Sequence, residues 1–447
     1  MPVALVDSLA TTEALAEVFS DESVLAALLN FEAALARAQA RLGVVPKSAA
    51  DAIGKSAVAQ GFDIAQLSRE TLRAGTLAIP LVRALTERVR ASDAHAARFV
   101  HWGATSQDVT DTALILLLKR ARQALAKDHA RLIDALRKLA AAHADTVMLG
   151  RTLLQPAPPV TFGLKAAGWL AAARRGWARI DTRFAEAEVI QFGGASGTAA
   201  SLGDQGIAVG QALAEELGLR YPDAPWHTHR DCLAALCAAC GVQCGSLGKM
   251  ARDTSLLMQN EVAEAAEPGG DGRGGSSTMP HKRNPIGCSL ALAAACRAPG
   301  LVASFLSAMV QEHERGVGGW QAEWPIITSL VQATGLAVAS MAEVAEGLTV
   351  DPARMRANIE ATRGVIFAER VMMLLGPALG RDVAHKLLEE ATRRSIAERR
   401  KLADVLAEIP DIARAIPAET LRRLDSPEEY LGMAGEFQAR LTAPQKK

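Results

Sequence analysis

Aromatic side chains are scarce in this 447-residue chain: Phe, Trp and Tyr make up 4 % of it, and only two residues are tyrosine. Hydrophobic residues still reach 49 %, carried by alanine and leucine rather than by β-branched runs. That balance disfavours a strand-rich architecture and predicts an all-α chain long enough for two or three units around a large core. Net charge is also missing, since 49 basic residues face 49 acidic ones. No global field then attracts nucleic acid or an anionic membrane surface, so neither is expected as a partner and any anion binding must be local. The first fifteen residues hold Asp7 and Glu13 but no Lys or Arg, which is unlike a secretory or mitochondrial leader. Arg297, Pro299, Gln332 and Thr334 interrupt the longest apolar stretches, so no membrane span is expected. Six cysteines without an export signal fit a reduced, cytoplasmic protein.

Cofactor motifs are absent too. The Gly-rich run Gln191-Phe192-Gly193-Gly194-Ala195-Ser196-Gly197-Thr198 lacks the G-x-G-x-x-G spacing of a dinucleotide loop. Gly248-Lys249-Met250 is no P-loop, because Met250 replaces the required hydroxyl residue. Cys232, Cys237, Cys240 and Cys244 superficially imitate an iron–sulfur spacing, yet they lie in an Ala/Leu run where cysteine behaves as a small buried hydrophobe. His227 and His229 lack further metal-type ligands around them, so capping or substrate contact is the better expectation. No metal or organic cofactor is called for.

Helical texture dominates what is present. Residues 104–149 contain neither Gly nor Pro, and Leu125, Leu132, Leu136 and Leu139 recur at helical spacing. If continuous, that helix is ~60 Å long. Residues 160–190, 232–267, 286–313 and 326–348 repeat the pattern, and such helices, apolar on more than one side, must pack on each other and on copies from other subunits. A more charged region follows Thr349, where Asp351 can cap a helix and Pro352 suits its first turn. Three domains are therefore expected, at residues 1–103, 104–348 and 349–447.

Four segments interrupt the helices and carry chemistry. Gly274-Gly275-Ser276-Ser277-Thr278-Met279-Pro280-His281-Lys282-Arg283-Asn284-Pro285 combines a pliable backbone, two hydroxyls and cationic donors. A closing loop of that kind can move a proton beside a carboxylate. In His101-Trp102-Gly103-Ala104-Thr105-Ser106-Gln107-Asp108, Thr105 or Ser106 could cap the next helix, whose first N–H groups make an anion site. Gly150-Arg151-Thr152-Leu153-Leu154-Gln155 forms a third break, and the Gly-rich run at 191–198 the fourth.

Together these segments resemble the fumarase/aspartase superfamily, whose signature is similar to residues 275–285 and is preceded by Gly-x-Thr-Ser and Gly-Arg-Thr segments in the order found here. The resemblance spans essentially the whole chain. It implies three helical domains, a central bundle assembling as the core of a homotetramer, active sites shared between subunits, and proton exchange α to a carboxylate through an aci-carboxylate intermediate. Most of that superfamily follows Gly-Arg-Thr with a histidine that handles the leaving group's proton. Here the position is Leu153, which moves no proton.

A β-substituent that is itself a carboxylate, with a pKa near ~4, needs no such partner. The chain accordingly resembles the bacterial 3-carboxy-cis,cis-muconate cycloisomerases, also through Pro225-Trp226-His227-Thr228, Gln311-Glu312-His313-Glu314-Arg315, Gly318 to Trp320 and Ala322-Glu323-Trp324. What this implies is reversible lactonisation of a small tricarboxylate, 3-carboxy-cis,cis-muconate, to 4-carboxymuconolactone in protocatechuate breakdown by the β-ketoadipate route. Ser277 is then the expected proton carrier, with Ser276 less favoured. Lys282, Asn284, Thr105 and Ser106 would stabilise the aci-carboxylate, with His101, Thr152, Gln155 and Arg315 as further binding residues. The nearest rival is an adenylosuccinate lyase or another fumarate-releasing lyase, although Trp320 and Trp324 stand where adenylosuccinate lyases hold a phosphate. An inactive helical scaffold would not need Ser276, Ser277, Lys282 and Asn284 together.

Overall fold

The computed structural model describes residues 5–443 apart from 271–273, 276–278, 280 and 281. The chain is all-α, as expected, with two short two-stranded ladders as its only sheets among the described residues. Its elements include α1 (Asp21–Arg41), α2 (Ser106–Ala142), β1 (Val147–Thr152), β2 (Gln155–Thr161) and α3 (Phe162–Ala187). There follow α4 (Asp231–Leu257), β3 (Ala265–Ala266), α5 (Ile286–Ala308), α6 (Gly319–Gly347), β4 (Thr349–Val350) and α7 (Pro352–Ala361). They form two compact units: residues 1–130, 175–248 and 290–340 make the first, and residues 131–174, 249–289 and 341–447 the second.

In the first unit, Ser20 caps α1 by accepting from Ser23 N, and Leu25, Leu28, Leu29, Phe31 and Leu35 turn its apolar face inward. That face shares one core with Val109, Ala113, Leu117, Ala121 and Leu125 of α2 and with Leu236 and Cys240 of α4. In the second unit, Val147 and Leu149 of β1 share a core with Phe367, Leu375, Leu402 and Leu406. Asp351 caps α7 by accepting from Arg354 N at 2.9 Å, with Pro352 at the first helical position.

Two expectations are corrected. The long helix stops at Ala142 rather than near residue 149, because Val147 to Thr161 form a hairpin in which Pro156, Pro158 and Pro159 forbid helix. Nor does the chain lack apolar segments of membrane-spanning length: α4, α5 and α6 each qualify by length and composition. Pro299 lies inside the unbroken α5 and neither it nor Arg297 lowers the average enough. Over half of the most apolar stretch of α4 and of α6 is buried within the chain, but only 28 % of that of α5.

Candidate functional site

The first unit gathers its polar residues at the start of α2. Asp108 is fully buried, and its carboxylate accepts four hydrogen bonds. Oδ1 receives Gly193 N at 3.1 Å and lies 2.7 Å from His227 Nε2, while Oδ2 receives Gly194 N at 2.8 Å and Thr105 N at 3.0 Å. Four partners make burial of the charge tolerable. Glycine is required at 193, where a Cβ would meet Pro225 at 2.5 Å, and favoured at 194, where φ is +67°. The Gly-rich run thus brings main-chain amides onto a carboxylate.

One turn further, Asp111 takes both Nη atoms of Arg230 (2.7 and 3.1 Å), Trp320 Nε1 (3.0 Å) and the amides of Gln107 and Gln191. Arg230 also donates through Nε to both oxygens of Glu323, and its guanidinium lies 4.6 Å from the centre of the Trp226 ring. Burial opposes the charge on Arg230, but Asp111 and Glu323 outweigh it and raise its pKa. Burial likewise pushes Glu323 up, against the pull of Arg230. Arg315 extends the network, donating to Gln107 Oε1 at 2.8 Å and to the carbonyls of Gly194 and Ala195.

This framework leaves the expected anion site open. Thr105 and Ser106 do not cap α2 through their hydroxyls; the Asp108 carboxylate reaches back to Thr105 N instead, because an acid at the third helical position suits that bond. Among the described residues neither hydroxyl has a partner, and the first N–H groups of α2 add the positive end of a 37-residue helix. His101 stands beside them, its Nδ1 2.6 Å from Glu32 Oε1. The structure thus brings His101, Thr105, Ser106 and Arg315 into one framework.

The second unit holds the others. Thr152 and Gln155 face each other as the last pair of the β1–β2 hairpin, whose tip is Leu153-Leu154. Both leucines have positive φ, +51° and +64°, the turn geometry usually given to Asn-Gly, and they are 97 % and 75 % exposed. Arg151 fastens the hairpin by a two-pronged pair with Glu264, at 2.9 and 2.7 Å, and Asn358 donates to the same carboxylate. Lys282 is exposed, and Asn284 N donates to Gly274 O at 2.9 Å, closing the neck of the signature loop. Glu267 accepts from Gly287 N and Cys288 N at the start of α5, which fixes the loop's far end. Ser276 and Ser277 lie outside the described residues.

Sequence reading missed Glu32, Asp108, Asp111, Arg230 and Glu323. The spacing of Asp108 and Asp111 on one helix face was a signal for two of them, but Gly193, Gly194, His227 and Arg230, which they bind, lie 85 to 119 residues away. His227 turned out buried against Asp108, while His229 is exposed.

Comparison with known proteins gives the family. A family model described as "Lyase" matches residues 9–300, and one described as "Adenylosuccinate lyase C-terminus" matches residues 364–441. The chain is 49 % identical to 3-carboxy-cis,cis-muconate cycloisomerase of Bradyrhizobium diazoefficiens over 92 % of its own length and 91 % of that protein's. It is 42 % identical to nitrosuccinate lyase of Streptomyces davaonensis, covering 93 % and 89 % of the two chains. The crystal structure of 3-carboxy-cis,cis-muconate lactonizing enzyme from Pseudomonas putida superposes with a TM-score of 0.92 at 45 % identity, over 98 % of each chain.

Proposed function

The chain belongs to the lyase family that includes the 3-carboxy-cis,cis-muconate cycloisomerases, and from that premise we propose that it converts 3-carboxy-cis,cis-muconate reversibly to 4-carboxymuconolactone. The observation that carries this reading is Leu153, an apolar, highly exposed residue at the hairpin tip where the superfamily pattern has a histidine. In lactonisation one substrate carboxylate attacks the carbon–carbon double bond already ionised, so no base is needed at that position. Negative charge builds on a second carboxyl as an aci-carboxylate. The unpartnered hydroxyls of Thr105 and Ser106 and the first amides of α2 are suited to receive it, with Lys282 and Asn284 supplying further donors. Ser277 delivers the proton to the α carbon, with Ser276 as its neighbour in the loop. His101, Thr152, Gln155 and Arg315 hold the remaining carboxylates or the segments that do so. The reaction is redox-neutral and asks for no organic cofactor.

The same proposal has the protein working as a cytoplasmic homotetramer with sites shared between copies, and a division into domains at residues 1–103, 104–348 and 349–447. Helix α5 supports the assembly, because a helix this apolar with so little of it buried within its own chain needs another surface to cover it. A second reading, elimination from a substituted succinate, is favoured by the nitrosuccinate lyase relative. It too dispenses with the histidine if the leaving group departs as a stable anion. The two separate when purified protein is mixed with 3-carboxy-cis,cis-muconate and loss of diene absorbance is followed for wild type and Ser277→Ala. Rapid loss that the substitution abolishes supports the cycloisomerase and its proton carrier; no turnover by wild type sinks it and favours the elimination.

A further inference from the structure

Helix α1 carries two polar side chains where its apolar face should be continuous. Glu32 and Gln39 stand seven residues apart, two turns along one face, and are 1 % and 0 % exposed. Both act on the same dipeptide. Glu32 Oε1 lies 2.6 Å from His101 Nδ1, and Gln39 Nε2 donates to Trp102 O at 2.6 Å. His101 itself sits at φ +59°, in the left-handed region that a non-glycine residue keeps only when its surroundings hold it there. Burying a carboxylate and an amide beside Leu28, Leu29, Phe31 and Leu35 is unfavourable, and each still leaves one oxygen unpartnered, Glu32 Oε2 and Gln39 Oε1. Packing alone would have used leucine at both places.

With Nδ1 committed to Glu32, Nε2 is the ring's remaining polar atom, and among the described residues nothing accepts from it. We infer that Glu32, supported by Gln39, is a positioning residue: it fixes the His101 ring so that Nε2–H is presented to a carboxylate of the substrate, beside the open hydroxyls of Thr105 and Ser106. This inference rests on the cycloisomerase reading for the identity of that carboxylate. Charge follows the geometry. Burial works against the imidazolium, but Glu32 and, from α2, Asp108 outweigh it and raise the His101 pKa above its ordinary value. A cationic ring makes a charge-assisted hydrogen bond to a carboxylate, roughly twice as strong as a neutral one. Nδ1–H···Glu32 also sets which nitrogen faces outward.

The test is Glu32→Gln, which keeps shape and removes charge, with Glu32→Asp as the variant that keeps charge and shortens the reach. Hydrogen–deuterium exchange at the His101 ring carbon, followed by mass spectrometry across pH, reads the titration of that one residue in the whole assembly without substrate. KM and kcat against pH, measured on 3-carboxy-cis,cis-muconate, read its use. Glu32→Gln is expected to move the His101 midpoint to lower pH, to shift the rise of KM in the same direction, and to raise KM roughly tenfold at neutral pH with a smaller change in kcat. Glu32→Asp should restore part of both. An unmoved midpoint overturns the inference, and so does a moved midpoint with an unmoved KM profile. If Glu32→Gln fails to fold, Glu32→Leu, which suits the surrounding apolar packing and also removes the carboxylate, carries the same test, and a wild-type midpoint and KM profile in that variant overturn the inference. Inactivity of the wild type towards this substrate would defeat the functional reading, while the exchange midpoint would still decide whether Glu32 governs His101.

Discussion

Replacing Asp108 with Asn changes one oxygen to an amide nitrogen in a fully buried position where all four partners are donors. On the Oδ2 side the new NH2 would face two main-chain N–H groups, of Gly194 and Thr105, which cannot reverse. On the Oδ1 side it would face Gly193 N and His227, whose neutral ring can accept, so the amide settles there and one buried main-chain donor is orphaned. An orphaned donor costs about 1–3 kcal/mol, and the charge assistance lost at the surviving bonds adds about 1 kcal/mol, giving ~2–4 kcal/mol in all. At ~2–4 °C per kcal/mol for a unit of this size, the melting midpoint should fall by roughly 4–16 °C. Activity should fall further than stability accounts for, since Gly193 N loses its acceptor and the Thr105 N bond that tethers the first turn of α2 loses its charge assistance. Circular dichroism melting and initial rates of diene loss, taken on the same preparations, measure both. A midpoint within about 1 °C of wild type together with full activity would refute the idea that this carboxylate organises the site.

Other outcomes follow from the same geometry. Arg230→Leu strands Asp111 and Glu323 without their shared cation and should destabilise by ~3–5 kcal/mol, read as a lower melting midpoint. Gly194→Ala forces a side chain onto a φ of +67° with its Cβ 3.1 Å from Gly103 O; the expected loss is ~1–2 kcal/mol by denaturant titration. Because the folded protein raises the His101 pKa above the ordinary histidine value of 6.5, the ring's stabilising contribution is complete below pH 6.5 and is lost as pH rises through the folded value. The stability gap between wild type and His101→Gln should therefore close towards alkaline pH. Burial raises the thiols of Cys240 and Cys244 to about 12 and about 11, so native protein should be alkylated at Cys232 and spared at both of these. Cys296, exposed on α5, should react in dissociated chains and be protected in the proposed assembly.

The long helices were legible because their signal is local: a run without Gly or Pro and a leucine every third or fourth position needs no distant partner to be read. The cap at Asp351 and Pro352 was legible for the same reason. The β1–β2 hairpin was not, since its turn uses Leu153-Leu154 where Asn-Gly would have announced it, and a pair of leucines reads as core. The capping role expected of Thr105 or Ser106 was misread, because the choice between a hydroxyl cap and an Asp108 cap turns on what else Asp108 binds. The pairing within the buried network was not legible: Asp111, Arg230 and Glu323 come from α2, a loop end and α6, and although Asp111 shares a helix face with Asp108, nothing in the sequence marks Arg230 and Glu323 as its buried partners.

Asp108 grips the Gly-rich run by main-chain amides and ignores its side chains, which divides that run into positions that can drift and positions that cannot. At residue 195 the chain meets Arg315 through a carbonyl, and among the described residues Ser196 makes no bond to the framework, so many substitutions at both would leave the site's geometry untouched. At 193 and 194 almost none would, because any side chain collides with Pro225 or distorts the turn. A family diversifying its substrates over this framework is thus free to recolour the rim while the two glycines hold its shape.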